Sequence, residues 1–355
     1  MNTDSLPTAK SISKELVPGS YAWLSQVRED IIDPLRPIID PHHHLWPSDW
    51  RKAYLLEDFW RDTSSGHYIE KTVFVECHAH YRVDGPEHLK PLGETEFVAG
   101  IARSTHAAEK SVESVAKAVI AGIVGHADLT LERAVLRDLL QAHVDQSDGL
   151  FRGIRHAGAR DPNPKALSIP GRAPEGLYAE PRFRVGVAML GTLGFSYDTW
   201  HYHHQNQAYL GLVRATPDTQ FILDHFGTPL GVGEYAGQRE DIFKQWKVDI
   251  VEIAKCPNVV AKLGGLAMPD CGYGWDRRDR PASSDELVNA HQDYYHFAIE
   301  CFGPERCMFE SNFPVDKRSL SYATYWNAMK KIAARYTEAE KHALFFGTAA
   351  RVYRL

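Results

Sequence analysis

Short apolar segments recur along the chain from Pro37 onward, and longer helix-like segments separate several of them. Most are rich in Val, Ile, Leu or Phe, as expected of strands buried on both faces. The eight segments span residues 37–46, 71–80, 122–129, 149–158, 184–191, 221–227, 258–267 and 306–314. Eight parallel strands that each return through a crossover close a barrel. The pattern therefore predicts an α/β fold with a single (β/α)₈ TIM barrel.

The segments between the strands complete this picture. Residues 94–111 and 321–336 are predicted amphipathic helices, and Thr337 with Glu340 forms a capping box for a further helix. Two connections, 161–183 and 268–291, are longer than packing requires. On a barrel they would lie at the carboxyl ends of the strands, where substrates are selected. Surface insertions without function are the alternative.

The two ends of the pattern define the expected domain organisation. Residues 1–36 are polar and proline-marked, and we interpret them as an N-terminal extension. Residues 37–355 form one barrel domain, because barrels commonly use about this length of chain. The extension could pack along its own barrel or across an interface, and the sequence is compatible with a homo-oligomer.

Composition narrows the class of protein. The chain has 355 residues, of which 44% are hydrophobic and 24% charged, and a net charge of −6. This mild acidity, without a Lys/Arg-rich block, argues against a nucleic-acid partner. No apolar run is long enough for a membrane span, and the N-terminus lacks the apolar core of a secretory signal. Five cysteines in no zinc-ribbon spacing predict free thiols and a cytoplasmic protein.

Polar residues follow several predicted strands directly. The segment DPHHH (40–44) ends the first strand, and side chains two apart on a strand share a face. His42 and His44 would therefore point together into the mouth of the barrel, as one metal ion requires. The segment DHFG ends the sixth strand and contains His225. A polar turn, and a core histidine bonded to backbone, are the respective alternatives.

Several motifs in a fixed order resemble the amidohydrolase superfamily, and within it the lactonases and related hydrolases of the amidohydrolase 2 type. The resemblance covers nearly all of residues 37–355. It is carried by the D-x-H-x-H start, LDHFG (223–227), NVVAKLGG (258–265), SNFPVDK (311–317) and FGTAARVYRL (346–355).

The resemblance implies roles for individual positions. His42, His44 and His225 would be metal ligands, or polar substrate contacts in members that work without metal. The eighth-strand position that usually holds a proton-transferring aspartate corresponds to Asn312, and an amide cannot serve as a base. The resemblance nevertheless implies that Asn312 lies among the catalytic residues.

Two further departures limit the expected metal content. The predicted fifth strand, 184–191, contains no histidine, and the fourth strand offers Arg155 and His156 in place of a bridging carboxylate or modified lysine. The resemblance therefore implies one divalent ion, zinc or manganese, or no metal. A bound ion would lower the pKa of water toward ~7. Without it, the histidines would stabilise an oxyanion by hydrogen bonds.

The general base stays open at this stage. Five carboxylates lie near the motifs: Asp40, Glu76, Asp224, Glu310 and Asp316. Asp40 shares the strand face of His42 and could instead orient its ring. His78, His80 and His126 also lie near strand ends and are interpreted as supporting or surface residues.

Three other residues are candidates for the pocket, and a fourth is a buried charge. Arg155 at the end of the fourth strand could bind a substrate carboxylate bidentately, or pair with a loop aspartate such as Asp161. Trp46 and Tyr197 could form walls of the pocket, with core packing as the alternative. Lys262 lies in a buried strand and needs a partner, for which a salt bridge in the barrel mouth is the preferred interpretation.

The leading functional prediction is hydrolysis of a small lactone or similar carbonyl ester by water attack. The partner would be a small, carboxylated substrate. Metal-dependent non-oxidative decarboxylation of an aromatic acid is the first alternative. The missing fifth-strand histidine and eighth-strand carboxylate argue against it, because those decarboxylases rely on the complete metal shell. A catalytically silent binding protein is the second alternative.

Overall fold

The computed structural model describes residues 16–48, 52–109 and 117–355. Its eight strands form one parallel sheet in which neighbours pair in chain order. The strands are β1 (Ile38–His43), β2 (Ile69–Val75), β3 (Val119–Gly125), β4 (Phe151–Arg155), β5 (Ser196–Thr199), β6 (Gln220–Leu223), β7 (Val259–Leu263) and β8 (Cys307–Phe309). With helices between the strands, this is the predicted (β/α)₈ barrel.

The first and last strands meet just beyond their carboxyl ends. The backbone N–H of Asn312 donates to the carbonyl of His42 at 3.0 Å, and the N–H of His44 donates to the carbonyl of Phe313 at 2.8 Å. These bonds fix the segment after β8 against the histidine segment of β1.

The helices surround the sheet. They are α1 (Tyr21–Leu24), α2 (Leu56–Thr63), α3 (Leu92–Glu109), α4 (Arg133–Gln146), α5 (Pro181–Thr192), α6 (Asn206–Ala215), α7 (Arg239–Ala254), α8 (Ser284–Phe302), α9 (Tyr322–Ala333), α10 (Glu338–His342) and α11 (Thr348–Tyr353). The helix predicted over 94–111 corresponds to α3, although residues 110 and 111 lie outside the described residues. The helix predicted over 321–336 corresponds to α9, and the capping box of Thr337 and Glu340 begins α10.

The fifth predicted strand is wrong. Residues 184–191 lie in α5, and β5 is the polar segment SYDT that follows this helix. The hydrophobic pattern of so short an apolar run does not distinguish a strand from a buried helix. The residues at the start of this segment favour a helix. Pro181 occupies the first turn, and the side chain of Glu180 caps the helix by accepting from the N–H of Arg182.

The interior of the barrel is filled by apolar side chains next to the polar residues of the mouth. Ile39, Val73, Val124, Ile222, Val260 and Met308 form one buried cluster there with three residues of α11. These three are Ala349, Val352 and Tyr353. The hydroxyl of Tyr353 donates to the buried carboxylate of Asp198 in β5. The C-terminal helix therefore belongs to the core beneath the site.

The described part of the N-terminal extension packs on the same chain. Trp23 is fully buried, and its Nε1–H donates to the carbonyl of Arg278 at 3.1 Å. The backbone N–H of Ser284 donates to Glu29 at 2.8 Å. All five cysteines are free thiols. Among the described residues, no helix combines the length and apolar character that a membrane span needs.

Candidate active site

Three side chains converge at the carboxyl ends of β1, β6 and β8. Oε2 of Glu310 lies 2.6 Å from Nδ1 of His42, and Oε1 of Glu310 lies 2.6 Å from Nδ1 of His225. Each residue offers one nitrogen or oxygen atom within 4.8 Å of the other two, and all three residues are buried. We call His42, His225 and Glu310 the triad cluster.

The strand period explains why Glu310 reaches the cluster. Met308 points into the barrel interior, and the side chain two residues later points the same way. The same relation between Ile222 and Asp224 brings Asp224 to the mouth. His225 follows in the left-handed region with φ 55°, a conformation that a non-glycine residue holds only when its surroundings impose it.

Gly265, just after β7, is part of those surroundings. It also has a positive φ, of 74°, and a Cβ atom at this position would lie 2.4 Å from Nδ1 of His225. Only glycine allows the imidazole of His225 to approach the backbone this closely. The close approach lets the ring reach Glu310.

Buried charges surround the triad cluster. Nζ of Lys262 lies 2.8 Å from Asp198, 3.2 Å from Oδ1 of Asp224 and 3.3 Å from Nδ1 of His42. The guanidinium of Arg155 donates to Glu76 at 2.8 Å and lies 3.5 Å from Asp224. The salt bridge predicted for Lys262 is therefore present.

Burial and these charges set the protonation states of the acids. Burial raises the pKa of Glu310 to about 8, although Lys262 acts in the opposite direction. Burial likewise raises the pKa of Asp224 to about 6 against the effect of Lys262. For Glu76, burial is outweighed by His78 and Arg155, which lower its pKa to about 2.

The two histidines of the triad cluster are neutral. Burial lowers the pKa of His225 to about 3, and burial together with the nearby Lys262 lowers the pKa of His42 well below its usual value. A neutral imidazole is the form that binds a metal ion.

The triad cluster fits a divalent cation. Oε2 of Glu310 and Oδ1 of Asp224 are buried and, among the described residues, accept no well-aligned hydrogen bond, although Nδ1 of His42 and Nζ of Lys262 lie close to them. A cation or a proton would satisfy these oxygens. Two imidazoles and a carboxylate are ligands that zinc accepts. The acids Glu76, Asp198, Asp224 and Glu310 also outnumber the bases Arg155 and Lys262. A divalent ion would balance this excess of negative charge.

Only two of the three predicted histidines belong to the triad cluster. His42 and His225 belong to the triad cluster, whereas His44 lies beside it. The ring of His44 is 4.9 Å from that of His42, centre to centre, and its Nδ1 lies 2.8 Å from the carbonyl of Val75. The pairing of β1 with β2 is irregular between Asp40 and His43. This irregularity breaks the simple alternation on which the prediction depended.

Asn312 does not hold the eighth-strand position that the sequence assigned to it. Its side-chain amide donates to Asp316 at 2.9 Å, and its φ of 55° turns the chain away after β8. Glu310, two residues earlier, supplies the carboxylate at the site. The eighth strand therefore retains an acid, and the argument from its loss is corrected.

The predicted pocket residues Tyr197 and Trp46 lie in different parts of the barrel. Tyr197 points outward from β5 between the strands and the helices, where it packs against Phe183 and Phe221 and donates to the carbonyl of His156 at 2.7 Å. Because alternate residues of a strand face opposite sides, Asp198 occupies the interior side. The alternative of core packing is thus correct for Tyr197. Trp46 is largely buried beside His44.

Arg155 and Asp40 have partners that the sequence did not identify. Arg155 pairs with Glu76 and Asp224, whereas Asp161 accepts from Tyr235 elsewhere. Asp40 accepts from the backbone N–H of His42 at 3.3 Å and from the hydroxyl of Tyr322 at 2.9 Å. It therefore orients the backbone of His42 and not its ring.

The corrected fifth strand does have a histidine close behind it. His201 follows β5 and is fully buried, but its Nε2 lies 2.9 Å from the side-chain oxygen of Asn206 in α6. It is not a member of the triad cluster. The residues that sequence reasoning left unassigned were Glu310 and Asp224, and the two-residue period from Met308 and Ile222 is the signal that identifies them.

Comparison with known proteins finds a matching family and two relatives, each over most of the chain. A family model described as amidohydrolase matches residues 39–355. An uncharacterized protein of Sinorhizobium fredii is 32% identical over 339 residues, which cover 90% of this chain and 98% of that protein. An L-fucono-1,5-lactonase of Burkholderia multivorans is 27% identical over 320 residues, which cover 89% and 96%.

A solved structure agrees with the architecture. The crystal structure of an amidohydrolase from Burkholderia multivorans, which contains bound zinc, has a TM-score of 0.68 and 23% identity. The match covers 90% of this chain and all of the other. At this identity the likeness shows the shared fold.

Proposed function

This chain belongs to the amidohydrolase family, and from that membership we propose that it hydrolyses the ring ester of a small lactone at the mouth of its barrel. The observation that carries the proposal is the triad cluster with the buried carboxylate of Asp224 beside it, whose Oδ1 lies 3.9 Å from Nδ1 of His42. A cation site next to a buried carboxylate is suited to activating water against a carbonyl. The likeness to a lactonase supports the choice of an ester ring.

His42, His225 and Glu310 would hold the divalent ion, and His44, whose ring lies 4.9 Å from that of His42, would contact the substrate. The bound ion would polarise the substrate carbonyl and acidify water at the site. His42 and His225 are neutral and buried, so they offer their ring nitrogens without first losing a proton. Glu310 must be deprotonated to take part.

Asp224 is the proposed general base. Its buried Oδ1 lies 3.2 Å from Nζ of Lys262, and its Oδ2 lies 3.5 Å from the guanidinium of Arg155. Its pKa, raised to about 6, leaves it ionised at neutral pH yet able to accept a proton. After taking a proton from water, it would pass this proton to the alkoxide oxygen released from the ring.

Arg155 and Lys262 are proposed to position this base. Both approach Asp224, and Arg155 also approaches Nε2 of His42 at 3.3 Å. Because Glu76 and Asp224 already engage the guanidinium, Arg155 supports Asp224 better than it supports a substrate carboxylate. The prediction of a carboxylated substrate therefore gains nothing from Arg155.

Turnover of a substrate panel tests the proposal. The purified protein, reconstituted with zinc or manganese, is assayed on lactones and aromatic acids, with metal content measured in parallel. We expect ring opening that follows metal content and is lost in Asp224→Asn with the metal retained. Release of carbon dioxide from an aromatic acid would identify the decarboxylase alternative. Binding without turnover in the metal-loaded protein would identify a silent binding protein.

A further inference from the structure

Two imidazoles outside the triad cluster stand side by side at the mouth of the barrel. His126 directly follows β3 and His156 directly follows β4, and their ring centres are 5.2 Å apart at an interplanar angle of 65°. Both rings are partly exposed. We call them the imidazole pair. It adjoins the site through Arg155, whose carbonyl contacts His126.

The backbone determines which nitrogen of each ring carries the proton. Nδ1 of His126 lies 3.0 Å from the carbonyl of Arg155, and a carbonyl only accepts, so this Nδ1 carries the hydrogen. Nδ1 of His156 accepts from the backbone N–H of Leu129 at 3.2 Å. In the neutral rings, Nε2 of His126 is therefore an acceptor and Nε2–H of His156 is a donor.

The pair is uncharged at neutral pH. Burial lowers the pKa of His126, and burial together with His126 lowers that of His156 to about 4. The charged and titratable groups that face the pair include Glu76, His78, Tyr81 and Asp128. Neither Nε2 atom has a hydrogen-bond partner in the described part of the chain. One acceptor and one donor are thus left on two rings whose centres are 5.2 Å apart.

We propose that the imidazole pair is a subsite for a hydroxyl group of the substrate. The hydroxyl donates to Nε2 of His126 and accepts from Nε2–H of His156. This inference rests on the proposed function and narrows its substrate to a hydroxylated lactone.

A carboxylate fits the pair poorly. It has only lone pairs to offer, so it would accept from His156 while facing the lone pair of His126. Neutral rings also give it no counter-charge. A hydroxyl is the simplest group that satisfies both nitrogens, because it donates and accepts at once.

Two lactones of equal ring size test the subsite. Gluconolactone carries hydroxyl groups, and δ-valerolactone carries none. The first two variants, His126→Phe and His156→Phe, keep a flat ring but remove its nitrogens. If they misfold, the polar variants His126→Gln and His156→Gln take their place. His296→Phe, a partly exposed histidine of α8 that contacts Tyr336, is the matched control.

We expect each change in the pair to lower kcat/KM for gluconolactone by about 5- to 100-fold, the range for a polar group that is left without its partner in a site removed from water. For δ-valerolactone we expect a change of less than about threefold, because that substrate makes no such bond. Equal losses on both lactones, or no loss on gluconolactone, would overturn the subsite.

A binding measurement separates this proposal from the proposed function. If the metal-loaded protein opens neither lactone, the proposed function fails. Calorimetry with gluconate and hexanoate, which share a carboxylate but differ in hydroxyl groups, then decides the subsite. Tighter binding of gluconate that is lost in His156→Phe supports it, and equal binding of the two acids contradicts it. ¹⁵N spectra of labelled histidines check the two tautomers directly, and a hydrogen on Nε2 of His126 would also overturn it.

Discussion

Oε1 of Glu310 lies 2.6 Å from Nδ1 of His225 and 3.2 Å from the backbone N–H of the same residue. One carboxylate oxygen thus joins the end of β8 to the turn after β6, across the mouth of the barrel. The other oxygen of Glu310 is directed to His42. Because these three side chains form the proposed metal site, changes to this contact are expected to lower the affinity for a metal ion.

Replacing Glu310 by Gln should abolish stoichiometric metal binding. The amide keeps the shape of the side chain but loses the negative charge that a divalent cation requires. We expect zinc affinity to fall by at least about 100-fold, and activity with it. Elemental analysis after dialysis measures the effect.

Asn312→Gly is the matched control for that change. Asn312 has a positive φ, so glycine removes its amide without backbone strain. The variant should keep its metal. If it lost the metal while Glu310→Gln kept it, the assignment of the eighth-strand carboxylate would be reversed.

The pH dependence of metal binding should report Glu310. Its pKa is raised to about 8 without metal, so below pH 8 a proton must leave before the cation binds. The apparent association constant should rise about tenfold per pH unit from pH 6 to 8 and level off above. Calorimetric titration with manganese at several pH values measures this slope. A flat profile in the unmodified protein would contradict it.

The same group should affect the stability of the metal-free protein. The pKa of Glu310 in the folded state exceeds its ordinary value of 4.5, so the folded state binds a proton more tightly than the unfolded state does. This contribution to stability is complete below about pH 4.5 and is lost as pH rises through about 8. Urea unfolding of the protein and of Glu310→Gln, compared at several pH values, should show a smaller loss of stability in the variant.

Asp224→Asn should impair chemistry more than metal binding. We expect kcat to fall by about 100- to 10,000-fold, the usual contribution of a general base. The acidic limb of the pH–rate profile, near the raised pKa of about 6, should disappear. Metal content serves as the control measurement. A variant with normal kcat would exclude Asp224 as the base.

Arg155→Met should destabilise the fold. It leaves Glu76, which is buried and ionised, without its principal partner, and breaking such a pair costs about 3–5 kcal/mol. The double variant Glu76→Gln with Arg155→Met should recover part of this loss in denaturant unfolding. Simple addition of the two single effects would show that the pair is not coupled.

Gly265→Ala should displace His225. The added Cβ meets the ring at 2.4 Å, so the variant should lose metal affinity in addition to stability. Gly176→Ala is the control, because Gly176 also has a positive φ of 72° but nothing lies within 4 Å of its added Cβ. It should cost only about 1 kcal/mol of backbone strain. Equal effects of the two substitutions on metal binding would contradict the role of Gly265.

Much of the architecture could be predicted from local pattern. Seven of the eight strands overlap their predicted segments, because apolar runs between helical segments identify buried parallel strands. The exception was the pair formed by α5 and β5. There the helix is apolar and the buried strand is polar, which reverses the usual association of apolar sequence with buried strands.

The same distinction between local pattern and tertiary structure holds for the candidate active site. The sequence by itself determined that His42 and His225 stand at strand ends, since motif and strand period are local properties. Only the tertiary structure decided that Glu310 joins them and Asn312 does not, that Arg155 pairs with Glu76, and that Tyr197 faces the helices. These relationships join residues tens to hundreds of positions apart. They depend on the turns after β6 and β8 and on the irregular pairing of β1, where a change of one residue in phase exchanges the inside of the barrel for the outside.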